Sequence, residues 1–218
     1  MSRTSFRHLL AVGLLAPWLA TGCDSEEKPD SEDPSTLDGG TRQDGGTTPD
    51  AGTGSDAGTS TDAGTLTQFA RDMVDAHNAV RAAAKNPTPS PALEPLTWDT
   101  QAEDTAKAWA ANCNFSHNSN RGTLGENIAA ATPNYWDTAG VVNDWAAEAA
   151  DYNYANNSCT QGEQCGHYTQ VVWRNTKRVG CATQVCTKNS PFGAQFPTWQ
   201  FWVCNYAPPG NYSGQRPY

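Results

Sequence analysis

Few side chains in this sequence carry chemistry, and most of them lie beyond residue 65. Three of the four histidines are there (His77, His117 and His167), as are six of the seven cysteines: Cys113, Cys159, Cys165, Cys181, Cys186 and Cys204. Imidazole nitrogens and carboxylate oxygens brought to one place can bind a divalent ion such as zinc, or exchange protons. His117 and His167 are 50 residues apart and no HExxH helix is present, so a site of this kind exists only if the fold assembles it. No two cysteines form a CxxC pair. Their even number reads as three disulfides of an exported protein rather than a zinc cage, with the pairing left open by spacing. A serine or cysteine protease is disfavoured, because these cysteines are committed to disulfides and no GxSxG nucleophile elbow is present.

The elements that must hold these residues can be read from periodicity. Leu66, Phe69, Ala70, Met73, His77 and Val80 recur at helical spacing, which predicts an amphipathic helix to about Ala84. A second helix is predicted over 97–113, with Trp98, Ala102, Ala106, Trp109 and Cys113 on one face, and a third over 138–152, with Val141, Val142, Trp145 and Ala149 inward. After Gly166 the period shortens to two, predicting strands at 168–174, 179–186 and 198–206. Helices first and strands later imply an α+β domain with an antiparallel sheet covered by helices.

The N-terminal third is different in kind. Residues 1–22 combine Arg3 and Arg7 with an apolar run from Leu9 to Ala20, too short to span a bilayer, and read as an export signal. The sequence Leu19-Ala20-Thr21-Gly22-Cys23 resembles a lipobox, so Cys23 is expected to be acylated and to anchor the chain at the bacterial cell envelope, the alternative being an ordinary cleaved signal and a secreted chain. Residues 24–65 are acidic and rich in Gly, Thr and Asp, with a hexapeptide repeat that places Asp38, Asp44, Asp50, Asp56 and Asp62 in phase. Without an apolar position to stack, the repeat reads as a disordered spacer rather than a calcium-binding solenoid. Net charge is +2 before Cys23, −9 between Cys23 and Leu66, and −2 from Leu66 onward. The near-neutral domain excludes a nucleic-acid footprint.

Four segments carry a resemblance: His77-Asn78-Ala79-Val80-Arg81, Gly125-Glu126-Asn127-Ile128, Gly166 to Trp173 (GHYTQVVW) and Cys204 to Tyr212 (CNYAPPGNY). In this order the chain resembles the CAP superfamily of cysteine-rich secretory proteins, antigen 5 allergens and plant pathogenesis-related proteins of the first class. The plant branch is closest in wording, through LTWD at 96–99, WRNT at 173–176 and the terminal GQRPY. The resemblance implies a three-layer α-β-α sandwich over 66–218. It also implies the pairs Cys113–Cys186, Cys159–Cys165 and Cys181–Cys204. The segment between Cys186 and Cys204 is longer than the family pattern, which predicts an extended hairpin connection.

By the same resemblance a cleft is lined by His117, Glu126, Glu148 and His167, a set able to hold a divalent metal such as zinc, although no cofactor is required. His77, Asn78 and Arg81 are expected to be structural, and Trp173, Tyr168, Trp202 and Tyr206 to form core and cleft walls. The two glutamates serve an internal hydrogen-bond network as readily as a chemical site. The function implied is a non-enzymatic extracellular module that binds a ligand such as a sterol or fatty acid and touches the membrane only through its N-terminal anchor. A metal-dependent hydrolase and a surface protein-interaction module are the alternatives. The last eleven residues, Pro208 to Tyr218, resemble a peptide released by plant relatives, but are read here as the end of the fold.

Overall fold

A computed structural model describes residues 66–218 of the chain. The expectations for the export signal, Cys23 and the spacer therefore lie outside the described residues. Each longer helix begins where a side-chain oxygen can take an otherwise orphaned backbone N–H. Thr67 caps α1 (Gln68–Ala82) by accepting from Ala70 N, Asp99 caps α2 (Thr100–Ala110) by accepting from Ala102 N, and Asp137 caps α3 (Thr138–Ala147) by accepting from Gly140 N. Thr97 and Trp98, expected to begin the second helix, instead form the short strand β1 (Thr97–Trp98). A single 3-10 turn, Glu148–Ala150, continues α3.

The central sheet has the order β1-β5-β6-β2, built with β2 (Gly125–Ala131), β5 (Arg178–Cys186) and β6 (Trp199–Ala207). The β5–β6 and β6–β2 ladders are antiparallel, while β1 adds a parallel pair of residues beside β5, so the sheet is mixed at one edge. A two-stranded ribbon of β3 (Tyr152–Asn153) and β4 (Ser158–Cys159) stands apart. The segment 168–174, expected as a strand, is instead α4 (Gly166–Val171) and its exit. Its apolar run carries no period that tells a short strand from a buried helical turn, and the packing of Tyr168, Val171 and Val172 in the core decides for the helix.

The alternation of β6 divides the core in two. Trp202, Cys204 and Tyr206 face α1, α3 and α4, packing with Met73, Val141, Val142, Trp145 and Val179. Trp199, Phe201 and Val203 face α2, packing with Ala106, Ala110, Ile128 and Ala182. These are the three layers of an α-β-α sandwich. On the α2 side the approach is close: a Cβ at Gly180 would lie 2.2 Å from Glu103 N and 2.3 Å from Asp99 O, so glycine is required there. Disulfides join Cys113 to Cys186, Cys159 to Cys165 and Cys181 to Cys204. The first ties the end of α2 to the end of β5, and the third crosslinks directly opposed residues of β5 and β6.

The HNxxR residues of α1 hold the loop that follows it. Asn78 exchanges two hydrogen bonds with the backbone of Leu96, at 3.0 and 2.7 Å. The buried Arg81 guanidinium donates to the carbonyls of Glu94, Val171 and Trp173, each at 2.9 Å. Burial and the neighbouring Arg174 lower its pKa to about 10, so it stays charged at neutral pH. The last eleven residues are tied along their length. Gly210 N donates to Gln170 Oε1 at 2.9 Å, Arg174 N to Pro217 O at 2.7 Å, and Tyr218 stacks on Tyr154 with ring centroids 4.9 Å apart.

Candidate functional site

The four residues expected to line a cleft fall into two imidazole–carboxylate pairs. Glu126, near the start of β2, has a fully buried side chain and accepts from His117 Nδ1 at 2.8 Å and Asn118 N at 2.9 Å. Its second oxygen lies 3.4 Å from Asn205 Nδ2 of β6. Glu148, just past α3, accepts from His167 Nδ1 at 2.6 Å through one oxygen. Its other oxygen accepts from the backbone N–H groups of His167 and Tyr168 at 2.9 and 3.1 Å. Glu148 thereby satisfies the first turn of α4 as well as orienting a ring. The indole of Trp145 stacks against the His167 ring, with centroids 5.9 Å apart and planes 22° from parallel.

The two pairs flank β2, the edge strand of the sheet. Neighbouring strand residues point to opposite faces, so Glu126 turns toward the α2 side with Ile128, while Asn127 turns toward α1 and α4. Asn127 Nδ2 donates to His167 O and to Tyr206 Oη, both at 3.1 Å. Glu126 holds one imidazole, and its neighbour Asn127 holds the backbone of the other.

Each carboxylate takes an Nδ1–H, which fixes the tautomer and leaves the lone pair on Nε2. Neither Nε2 has a hydrogen-bond partner among the described residues. The His117 side chain is 56% exposed and that of His167 21% exposed. The ligand atoms of the four do not converge within 4.8 Å. The group of histidine, cysteine and acidic side chains that does so among the described residues is His77, Cys181 and Cys204. That group offers no free ligand, because the two sulfurs are joined in a disulfide and both nitrogens of His77 are engaged. Two surface depressions, of about 610 and 300 Å³, lie around Tyr152 and are not lined by the four residues.

His77 completes the network from the core. Its Nδ1–H donates to Met73 O at 2.7 Å, which leaves Nε2 to accept from Tyr206 Oη–H at 2.9 Å. Burial, the largest influence, lowers its pKa to about 4, keeping it neutral at physiological pH. Burial also raises the Tyr206 phenol well above its ordinary value, so this hydroxyl remains a donor. The chain His77, Tyr206, Asn127, His167 O was missed in the sequence as a network, although each of the four residues lies in a quoted motif.

The cysteine-rich secretory protein family, CAP, matches residues 74–206. Pathogenesis-related protein 1A of Nicotiana tabacum is 41% identical over 152 residues, an alignment covering 68% of this chain and 80% of that protein. Peptidase inhibitor 16 of Homo sapiens is 42% identical over 148 residues, covering 68% of this chain but only 31% of that protein. The chain thus spans about a third of the latter relative. Among solved structures, venom allergen-like protein 4 of Schistosoma mansoni aligns at 30% identity with a TM-score of 0.55, covering 70% of this chain and 95% of that one.

Proposed function

The chain belongs to the cysteine-rich secretory protein family, and on that premise we propose that it is an exported, non-enzymatic CAP module whose His117 and His167 imidazoles hold a divalent metal such as zinc. The observation carrying this reading is the pair of Nδ1-anchored rings, each with an Nε2 lone pair left over. A histidine held by a carboxylate through one nitrogen and open at the other has the form of a metal ligand with its outer partner in place. The three disulfides fit an oxidising compartment, consistent with export.

The hydrolase alternative is disfavoured by the carboxylates themselves. Glu126 and Glu148 each face three donors, so both are chiefly committed to holding the fold and the imidazoles. A metal at this place would act as a Lewis acid or as a bridge to a ligand, while the chain supplies ring orientation. Sterol or fatty-acid binding remains part of the proposal on family resemblance, and anchoring through Cys23 on the sequence alone. Metal content of the purified full chain, compared with His117→Ala and His167→Ala, tests the metal reading. Stoichiometric zinc lost in either variant supports it, and zinc at background in the unaltered chain refutes it. Labelled sterol and fatty acid that bind no better than to an unrelated protein would remove the lipid part.

A further inference from the structure

Exposed apolar side chains on this domain are unevenly placed. Six large ones are exposed among the described residues, and four gather at one end of the sheet: Tyr135 (60%), Val185 (49%), Phe192 (40%) and Phe196 (44%). Val185 is paired with Gln200 across the β5–β6 ladder, and Gln200 Oε1 accepts from Asn134 N at 3.1 Å, which brings the Tyr135 loop to the same end. Phe192 and Phe196 ride on the connection from β5 to β6, where residues 187–189 and 192–198 are exposed. This is the segment whose extra length stood out in the sequence.

Two further properties distinguish this end. The connection makes several hydrogen bonds within itself and to its base. Phe196 N donates to Gly193 O at 3.1 Å, Ser190 Oγ to Phe196 O at 2.5 Å, and Trp199 Nε1 to Lys188 O at 2.8 Å. Asn189 Nδ2 fastens the base to Cys113 O at 3.1 Å. Charge is the second property. The segments gathered here, 111–118, 132–136 and 184–200, contain no aspartate or glutamate, and Lys188 is their one lysine or arginine, in a chain of net charge −9.

We infer that the β5–β6 connection is a membrane-docking tip, which seats Phe192 and Phe196 in the headgroup region of an anionic bilayer with Lys188 at the phosphate level. Aromatic rings suit the polar–apolar boundary of a bilayer, and the Phe196 N–H and C=O, each already bonded within the loop, lower the cost of seating that residue there. A protein partner would require roughly 800 Å² of complementary surface on each side, whereas the connection offers two partly exposed rings. A fluid bilayer imposes no such shape. The connection 187–198 holds no carboxylate and one lysine, so it is a part of this domain that can approach an anionic surface. This contact is additional to any anchor at Cys23 and independent of the metal reading.

The test uses the full chain with Cys23→Ser, so that acylation is absent from every arm. Amide hydrogen exchange of residues 187–198 is followed with and without vesicles of equal parts phosphatidylcholine and phosphatidylglycerol. The inference predicts slower exchange in this segment with vesicles, and vesicle affinity of the segment lowered about tenfold by Phe192→Ser with Phe196→Ser. Lys188→Glu should weaken the protection on these vesicles and leave it unchanged on pure phosphatidylcholine. Unchanged exchange on vesicle addition overturns the inference, as does protection that survives the double substitution. Protection that rises with protein concentration in the absence of lipid also overturns it, by assigning the tip to contact between copies of the chain.

Discussion

At His77 both ring nitrogens are committed, one to Met73 O and one to Tyr206 Oη, in a site with no exposure. Unfolded, the imidazole takes its proton near 6.5; folded, it does so at about 4. Between these values the unfolded chain holds the extra proton, so stability must fall as pH drops from 6.5 toward 4, by about 3 kcal/mol in total. Urea unfolding across this range should show the decline, and His77→Gln should flatten it while lowering stability at neutral pH. Glu148 makes a second residue-scale case. Glu148→Ala removes the acceptor of three donors and should cost about 2 to 4 kcal/mol, measured by thermal unfolding, whereas Glu148→Gln keeps one acceptor oxygen and should cost less. The sequence marks His77 as structural through its place in a helix, but the partner that makes it so, Tyr206, is 129 residues away. A contact of that separation has no local signature, so the network through Asn127 became visible only with the fold.

Helix faces and the long hairpin strands were legible because their periods extend over many residues. Strand β2 was not. Its sequence, GENIAAA, is rich in alanine and lacks the β-branched alternation that announces a strand, and it is one only because β6 offers a ladder to pair with. The segment at Tyr168 failed the other way, since valines that favour strands were drawn into a helical turn by core packing and by the Glu148 carboxylate at its start. Two substitutions test the joints between elements. Gly180→Ala drives a Cβ into the α2 backbone and should cost about 2 to 3 kcal/mol in thermal unfolding. Arg81→Met removes the donor shared by the carbonyls of Glu94, Val171 and Trp173, so it should cost about 2 to 4 kcal/mol and loosen the loop after α1, read as faster amide exchange over 84–96.

Over the whole molecule, the sandwich explains how residues far apart in sequence meet as two imidazole–carboxylate pairs on either side of one edge strand. The α2 layer ends near His117, the α3 and α4 layer supplies Glu148 and His167, and the edge strand β2 stands between them with Glu126 and Asn127 turned to opposite faces. The resemblance named the four residues, since spacing alone carries no metal signature; that they sit as two carboxylate-held pairs required the structure. The central proposal is that these pairs offer their two imidazole Nε2 atoms to a divalent ion. Isothermal titration of the metal-stripped full chain with zinc tests it most directly, run beside His117→Ala and His167→Ala under conditions where near-UV circular dichroism shows all three chains folded. The account predicts one zinc per chain, with affinity reduced at least about tenfold in each variant. No zinc uptake by the unaltered chain, or uptake that neither substitution changes, would contradict it.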